Sequence, residues 1–234
     1  MAYKRYGRKR YSRRRYYRKK KWSPRTVVST RQPDAFDVAR SAWTGVKKIW
    51  RMINVEQKYI DTTFNNTSIT NTAAITALCD IPLGDGPSAR DGTSVRPLNL
   101  TYRMQLQHSA ADSLVQLVRL IIFRGKHEND TVPVAADVLE STTNPLSPKT
   151  HDKRFKTKIL MDKLVPLCDV NNTDKGHYVY SGYMDVGKHV NFDVSQTDGT
   201  DIEDGGIYIL LLAGGTLTNP PRFDAYFRLT YTDN

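Results

Sequence analysis

Several things are scarce in this sequence, and each scarcity excludes a class of protein. There are two cysteines in 234 residues, Cys79 and Cys168, too few for a disulfide framework or a four-cysteine zinc site. The longest strongly apolar run, 207 to 213, is far short of the ~20 residues that a membrane helix needs, so no membrane is expected. The charged N-terminus lacks the apolar stretch of a secretory signal. The five histidines, His108, His127, His151, His177 and His189, form neither His-x-His nor His-Glu-x-x-His, and each is expected in a loop or on a sheet surface. Gly84 to Gly86 lacks the Gly-Lys-Ser/Thr ending of a phosphate loop, and no Gly-x-Ser-x-Gly elbow occurs. Nothing in the residues supports an enzyme or requires a cofactor.

Acidic residues are missing from one region altogether. Residues 1 to 25 carry Lys4, Arg5, Arg8, Lys9, Arg10, Arg13, Arg14, Arg15, Arg18, Lys19, Lys20, Lys21 and Arg25, and no Asp or Glu. These are thirteen of the 35 basic residues, so the rest of the chain holds 22 cations against 24 acids. The formal charge of +11 therefore belongs to an arm attached to a nearly neutral body. Like charges at this density repel and cannot pack, so residues 1–33, arm and linker, are expected to be disordered without a polyanion.

The arm also holds Tyr3, Tyr6, Tyr11, Tyr16, Tyr17 and Trp22, and almost nothing aliphatic. Cations neutralise phosphates and release counterions. Aromatic faces stack on unpaired bases at about 1–3 kcal/mol per base, and arginine adds bidentate phosphate contacts. The combination points to single-stranded nucleic acid bound with little sequence preference. A nuclear-import signal, and hence an import receptor, is a compatible second use.

After the linker, Asp34 is placed to cap a helix over 34–53. Phe36, Ala39, Trp43, Val46, Trp50 and Ile53 recur at three- and four-residue steps, with Arg40, Lys47, Lys48 and Arg51 on the other faces. Two roles stay open for this amphipathic segment: first helix of the body, or a helix shared between body and nucleic acid. From 54 onward the sequence reads as one domain of eight strands, at 55–64, 73–80, 95–107, 113–124, 155–166, 186–194, 206–213 and 222–232, with a helical turn or two over 134–140. Leu98, Leu100, Tyr102, Met104 and Leu106 share one strand face, as do Phe223, Ala225, Phe227, Leu229 and Tyr231. Leu117 to Phe123 and Ile207 to Ala213 are nearly continuous apolar runs and suit strands buried on both sides. No helices alternate with the strands, so the expected fold is all-β, a single eight-stranded jelly roll of two packed antiparallel sheets. Asp201, Glu203 and Asp204 are expected in one loop which, with Asp233, is a candidate cation site.

Short stretches in fixed order carry a family resemblance: Arg51 to Asn54, Arg90 to Arg96, Leu120 to Arg124, Pro133 to Glu140, Asn144 to Leu146, Lys153 to Phe155 and Tyr231 to Asp233. Over 51 to about 166 and again at the C-terminus, the chain resembles the coat proteins of the satellite tobacco necrosis virus type. Its Arg/Tyr/Lys arm resembles capsid proteins of circoviruses and related viruses with circular single-stranded DNA. The resemblance implies a virion protein that self-assembles into a small icosahedral shell of about sixty copies. It also implies an inward-facing arm on a packaged genome, with DNA favoured over RNA and assembly in the host nucleus. Calcium at subunit contacts is a further implication, with Glu56, Asp91, Ser94 and Asp233 at the matching positions. The residues also admit a non-viral nucleic-acid-binding protein with a basic tail, of ribosomal or chromatin type.

Overall fold

The computed structural model describes residues 35–52, 56–108, 116–126, 132–167, 176–193, 202–214 and 219–233. The arm, its linker and Asp34 lie outside these. The chain divides into two units, residues 1–53 and 54–234. In the first, the helix α1 spans Ala35–Met52, and Phe36, Val38, Trp43 and Val46 on it are exposed. Ser41 and Thr44 turn their hydroxyls back onto the carbonyls of Val38 and Arg40, and so keep these two polar side chains within the helix.

The second unit is an all-β jelly roll. Its strands are β1 (Gln57–Ser68), β2 (Ala74–Ala77), β3 (Ser94–Gln107), β4 (Gln116–Gly125), β5 (Thr157–Leu167), β6 (His177–Asp185), β7 (Val190–Phe192), β8 (Ile202–Asp204), β9 (Ile207–Ala213) and β10 (Arg222–Asp233). One sheet runs β1-β10-β3-β7-β8, with β6 also paired to β3, and the other runs β2-β9-β4-β5. All described pairings are antiparallel. Chain order crosses between sheets from β1 to β4, keeps β5 beside β4 and β6 to β8 in the larger sheet, and returns at β9 and β10 to inner positions of each, the winding of a jelly roll.

The structure corrects the strand count. The strand expected at 186–194 shortens to the three residues of β7 at the start of β3, and β6, over a stretch not expected as a strand, pairs along the rest of β3. In β6 both parities are partly apolar, and Gly182 interrupts the run, so the period-two signal was weak. The acidic stretch expected as a loop places Glu203 and Asp204 on β8, which pairs β7; Asp201 lies outside the described residues. Over 134–140 one 3-10 turn forms, Ala135–Asp137. The alternation read along β3 holds from Leu100 to Leu106 and breaks at Leu98. There β3 carries an extra residue against β10, because Thr230 faces Asn99 while Tyr231 faces Pro97. His108, expected in a loop or on a sheet surface, lies just past β3 and is buried, with its amide donating to the Gly176 carbonyl at 2.8 Å.

Between the sheets, Met104 and Leu106 of β3 meet Leu120 of β4 and Val165 of β5. Phe227 lies 5.9 Å from Phe64 and 6.5 Å from Tyr102, and Phe64 lies 5.3 Å from Phe223. Strands β4 and β9 are buried along nearly their whole length. Their second face is covered by the connection from β4 to β5, where Val138 and Leu139 are buried. Arg119 ties that cover down. Its guanidinium donates to Asp162 at 3.0 and 2.9 Å, to the Pro145 carbonyl at 2.9 Å, and to the Ser147 carbonyl.

Burial works against the Asp162 carboxylate, but the Arg119 hydrogen bond and charge, with Lys149, hold its pKa below the usual value of 3.8. A depressed carboxylate stabilises the fold above its unfolded pKa, and that contribution disappears as pH falls through the folded value. Asp162→Asn should therefore lower stability near neutral pH by about 1–3 kcal/mol and flatten the acid limb of unfolding below pH ~4. Urea midpoints measured against pH check both effects; identical acid limbs in the two proteins would contradict this account. Phe227→Ala should cost about 3–5 kcal/mol by opening a cavity beside the Phe64 and Tyr102 rings, read from the same midpoints at neutral pH.

Candidate functional site

The starts of β1, β3, β5 and β9 and the ends of β4 and β10 lie at one end of the sandwich, with β7 and β8. The β2–β3 connection crosses this end and is built around Arg90, 1% exposed. Arg90 donates from Nε to the Ile81 carbonyl at 3.1 Å and from Nη1 to the Gly92 carbonyl at 2.8 Å. Its guanidinium lies 4.4 Å from the Phe192 ring centroid. Tyr231 donates its hydroxyl to the Ala89 carbonyl at 3.0 Å. A buried cation with two carbonyl acceptors and an aromatic face fixes the loop that presents Asp91.

Two of the four residues implied as calcium ligands are brought together here. The Lys58 ammonium lies 3.1 Å from Asp91 Oδ2 and 3.3 Å from Asp233 Oδ2, and the Asp91 amide donates to the same Asp233 oxygen at 2.6 Å. Ser94 is turned elsewhere, with Oγ 3.3 Å from His189 Nδ1, and Glu56 is exposed just before β1. The four do not converge into one oxygen cage, and the ammonium holds the bridging position between the two carboxylates. Among the described residues, no group of three or more His, Cys, Asp or Glu gathers closely enough to hold a metal ion.

Lys58 was missed by sequence reasoning, although its parity was a signal. Tyr59, Asp61 and Thr63 of β1 point outward, while Lys58, Ile60, Thr62 and Phe64 share the inward parity. A lysine on the inward parity needs a buried counter-charge. Desolvation pulls the Lys58 pKa down, but the hydrogen bonds and charges of Asp91 and Asp233 outweigh it, leaving the pKa above 10.5.

The outer face of the larger sheet carries a second polar cluster. Arg228 on β10 forks onto Asp61 on β1, Nε to Oδ1 and Nη2 to Oδ2, both at 2.7 Å. Tyr226 donates its hydroxyl to Asp61. The guanidinium also stacks over Tyr59, 4.4 Å from its centroid. The Arg228 hydrogen bond is the largest reason the Asp61 carboxyl stands below the ordinary carboxylate range. Beside this cluster an open cleft of about 340 Å³ is lined by Thr63, Asn65, Arg103, Gln105, Val179 and Tyr226. Tyr183 and Val179 on β6 are 70% and 63% exposed on the same sheet. Within the sheet, burial and the hydrogen bond its hydroxyl makes with Tyr180 push Tyr102 up to about 12. The arm residues singled out for nucleic acid, Tyr3 to Arg25, lie outside the described residues.

Replacing Lys58 by Met leaves two carboxylates facing each other without their cation, and should lower stability by about 1–3 kcal/mol at neutral pH. A raised lysine pKa contributes fully below the unfolded value and is lost as pH rises through the folded one. The wild-type advantage over Lys58→Met should therefore persist from pH 7 to about 10 and shrink above 10.5. Thermal midpoints across that range test it; an advantage that vanishes by pH 9 would contradict the bridging role.

No protein-family model matches the sequence, and no curated protein matches it. Among solved structures, a chain of cucumber leaf spot virus aligns at 13% identity and TM-score 0.32, covering 76% of this chain and 56% of that one. VP2 of the infectious bursal disease virus subviral particle aligns at 7% identity and TM-score 0.25, covering 76% and 33%. VP1 of the unassembled KI polyomavirus pentamer aligns at 13% identity and TM-score 0.20, covering 76% and 94%. The present chain thus spans about half the length of the cucumber leaf spot virus chain and a third of that of VP2.

Proposed function

We propose that this protein is a viral capsid subunit that self-assembles into a small icosahedral shell of about sixty copies and packages single-stranded nucleic acid, DNA in preference to RNA. The observation that carries the proposal is the segregation of charge: thirteen cations and six aromatics in an acid-free arm, attached to a body with 22 basic and 24 acidic residues. A nearly neutral jelly roll suits burial against copies of itself, because little net charge opposes the contact. Exposed apolar side chains on the body, among them Val179, Tyr183, Leu146 and Leu164, are surface that a symmetric contact buries. The arm then neutralises the packaged phosphates without reading bases, and its condensation removes the repulsion among arms. The same basic run serves as a nuclear-import signal in this reading, and the body acts without catalysis.

If calcium serves the subunit contacts, the carboxylates of Asp91 and Asp233 would be its ligands, in exchange for the Lys58 ammonium. A calcium-dependent rise in the wild-type unfolding midpoint, absent from Asp91→Asn/Asp233→Asn, supports that step; an unchanged midpoint removes it.

Deleting residues 1–25 should leave the circular dichroism of the β body intact and reduce nuclease-protected nucleic acid in purified particles to background. Wild-type levels of protected nucleic acid in the truncated protein would overturn the role of the arm. Nuclease specificity on the protected material distinguishes DNA from RNA.

A further inference from the structure

We propose that the folded body carries its own phosphodiester site at the end of the sandwich where β1 begins, separate from the arm. The site is a cavity of about 190 Å³ lined by Arg124, Lys126, Lys188, His189 and Asp204 with the backbone of Gly125 and Gly205. Arg124, Lys126 and Lys188 give the lining three formal cations against the one carboxylate of Asp204. Lys158 adds a fourth cation at the rim: it stands opposite Arg124 in the β4–β5 register, on the same sheet face, and is exposed. None of Lys126, Lys158 and Lys188 forms an ion pair with a described carboxylate, whereas Lys149 and Lys153 nearby are held by Asp162 and Asp137 at 3.4 and 2.7 Å.

The walls are built by backbone geometry. Arg124 is buried and donates from Nη2 to the Lys188 carbonyl at 3.3 Å, which ties the β6–β7 turn to the end of β4. The Lys126 amide donates to the Lys156 carbonyl at 2.7 Å, and the Gly125 amide to the Gly206 carbonyl at 2.8 Å. Gly205 has φ +83°, and a Cβ there would stand 2.3 Å from the His189 carbonyl oxygen, so this wall requires glycine. A cavity of this size with converging cations takes one tetrahedral oxyanion and leaves the rest of a chain outside.

The connection that leads into β5 says which chain. Phe155 is 72% exposed, and Arg154 lies over its ring at 4.8 Å from the centroid. An exposed ring backed by a guanidinium next to a phosphate-sized cationic cavity fits an unpaired base and its neighbouring phosphate. A sulfated polysaccharide supplies the anion but has no base to place on the ring. The inference rests on the nucleic-acid reading above and adds to it a second point of contact.

The test measures binding of a fluorescein-labelled oligothymidylate to the full-length chain against salt. Lys126→Gln/Lys188→Gln should reduce the slope of log affinity on log salt by about 1.4, and the affinity at near-physiological salt about tenfold. Lys126→Arg/Lys188→Arg should keep both. Phe155→Ala, at an exposed position that folding does not depend on, should weaken binding about fivefold or more with the slope unchanged. An unchanged slope in the double glutamine variant, with its urea midpoint intact, overturns the site. So does a loss confined to heparin binding, which assigns the cations to a sulfated polysaccharide. Arg13→Gln/Arg14→Gln/Arg15→Gln probes the arm separately: if it binds as wild type while the pocket variants do not, the arm reading fails and the pocket stands.

Discussion

Two strands of this body, β4 and β9, have no polar face, and their burial from both sides organises everything around them. One side is met by the larger sheet through Met104, Leu106 and their neighbours. The other side has no third sheet, so the β4–β5 connection folds back over it. That cover carries backbone carbonyls into a dry region, and Arg119 is placed where its donors reach two of them while Asp162 balances its charge. The apolar runs, the long connection and the buried arginine are thus one device, because a carbonyl buried without a donor costs about 1–3 kcal/mol.

The same economy of charge governs the open end of the sandwich. Acids and bases inside the body are paired across sequence distances that only the fold closes: Lys58 with Asp91 and Asp233, Arg228 with Asp61. The near-neutrality of the body comes from its 22 basic and 24 acidic residues, and these matches set opposite charges side by side. The arm has no such partners within itself, and an external polyanion is the one remaining way to relieve its repulsion. Lys126, Lys158 and Lys188 stand outside these pairs, and Lys126 and Lys188 share one cavity at an end of the sandwich.

Much of the architecture was legible because periodicity reports burial directly. Phe223 to Tyr231 alternate as read, and Val118 to Phe123 are buried as the nearly continuous apolar run suggested, with Arg119 buried among them. What escaped was set by pairing between distant segments. Nothing local shows that β6 and β7 divide one sheet position, since the division depends on how β3 is shared along its length. The break at Leu98 comes from a bulge against β10 that period two cannot reveal. Arg90 lay within a recognised motif, but its burial against Phe192 needed the fold. Of the implied ligand set, Asp91 and Asp233 do meet; the inward parity of Lys58 was a local signal for a buried cation, but its partners needed the fold.

The central claim, that the neutral body builds a shell and the arm fills it with polynucleotide, is tested most directly by sedimentation of the purified full-length protein with absorbance recorded at nucleic-acid and protein wavelengths, before and after nuclease. The account predicts a homogeneous particle of many copies whose nucleic-acid absorbance survives nuclease until the shell is opened. A species of a few protomers, free of polynucleotide, would contradict it.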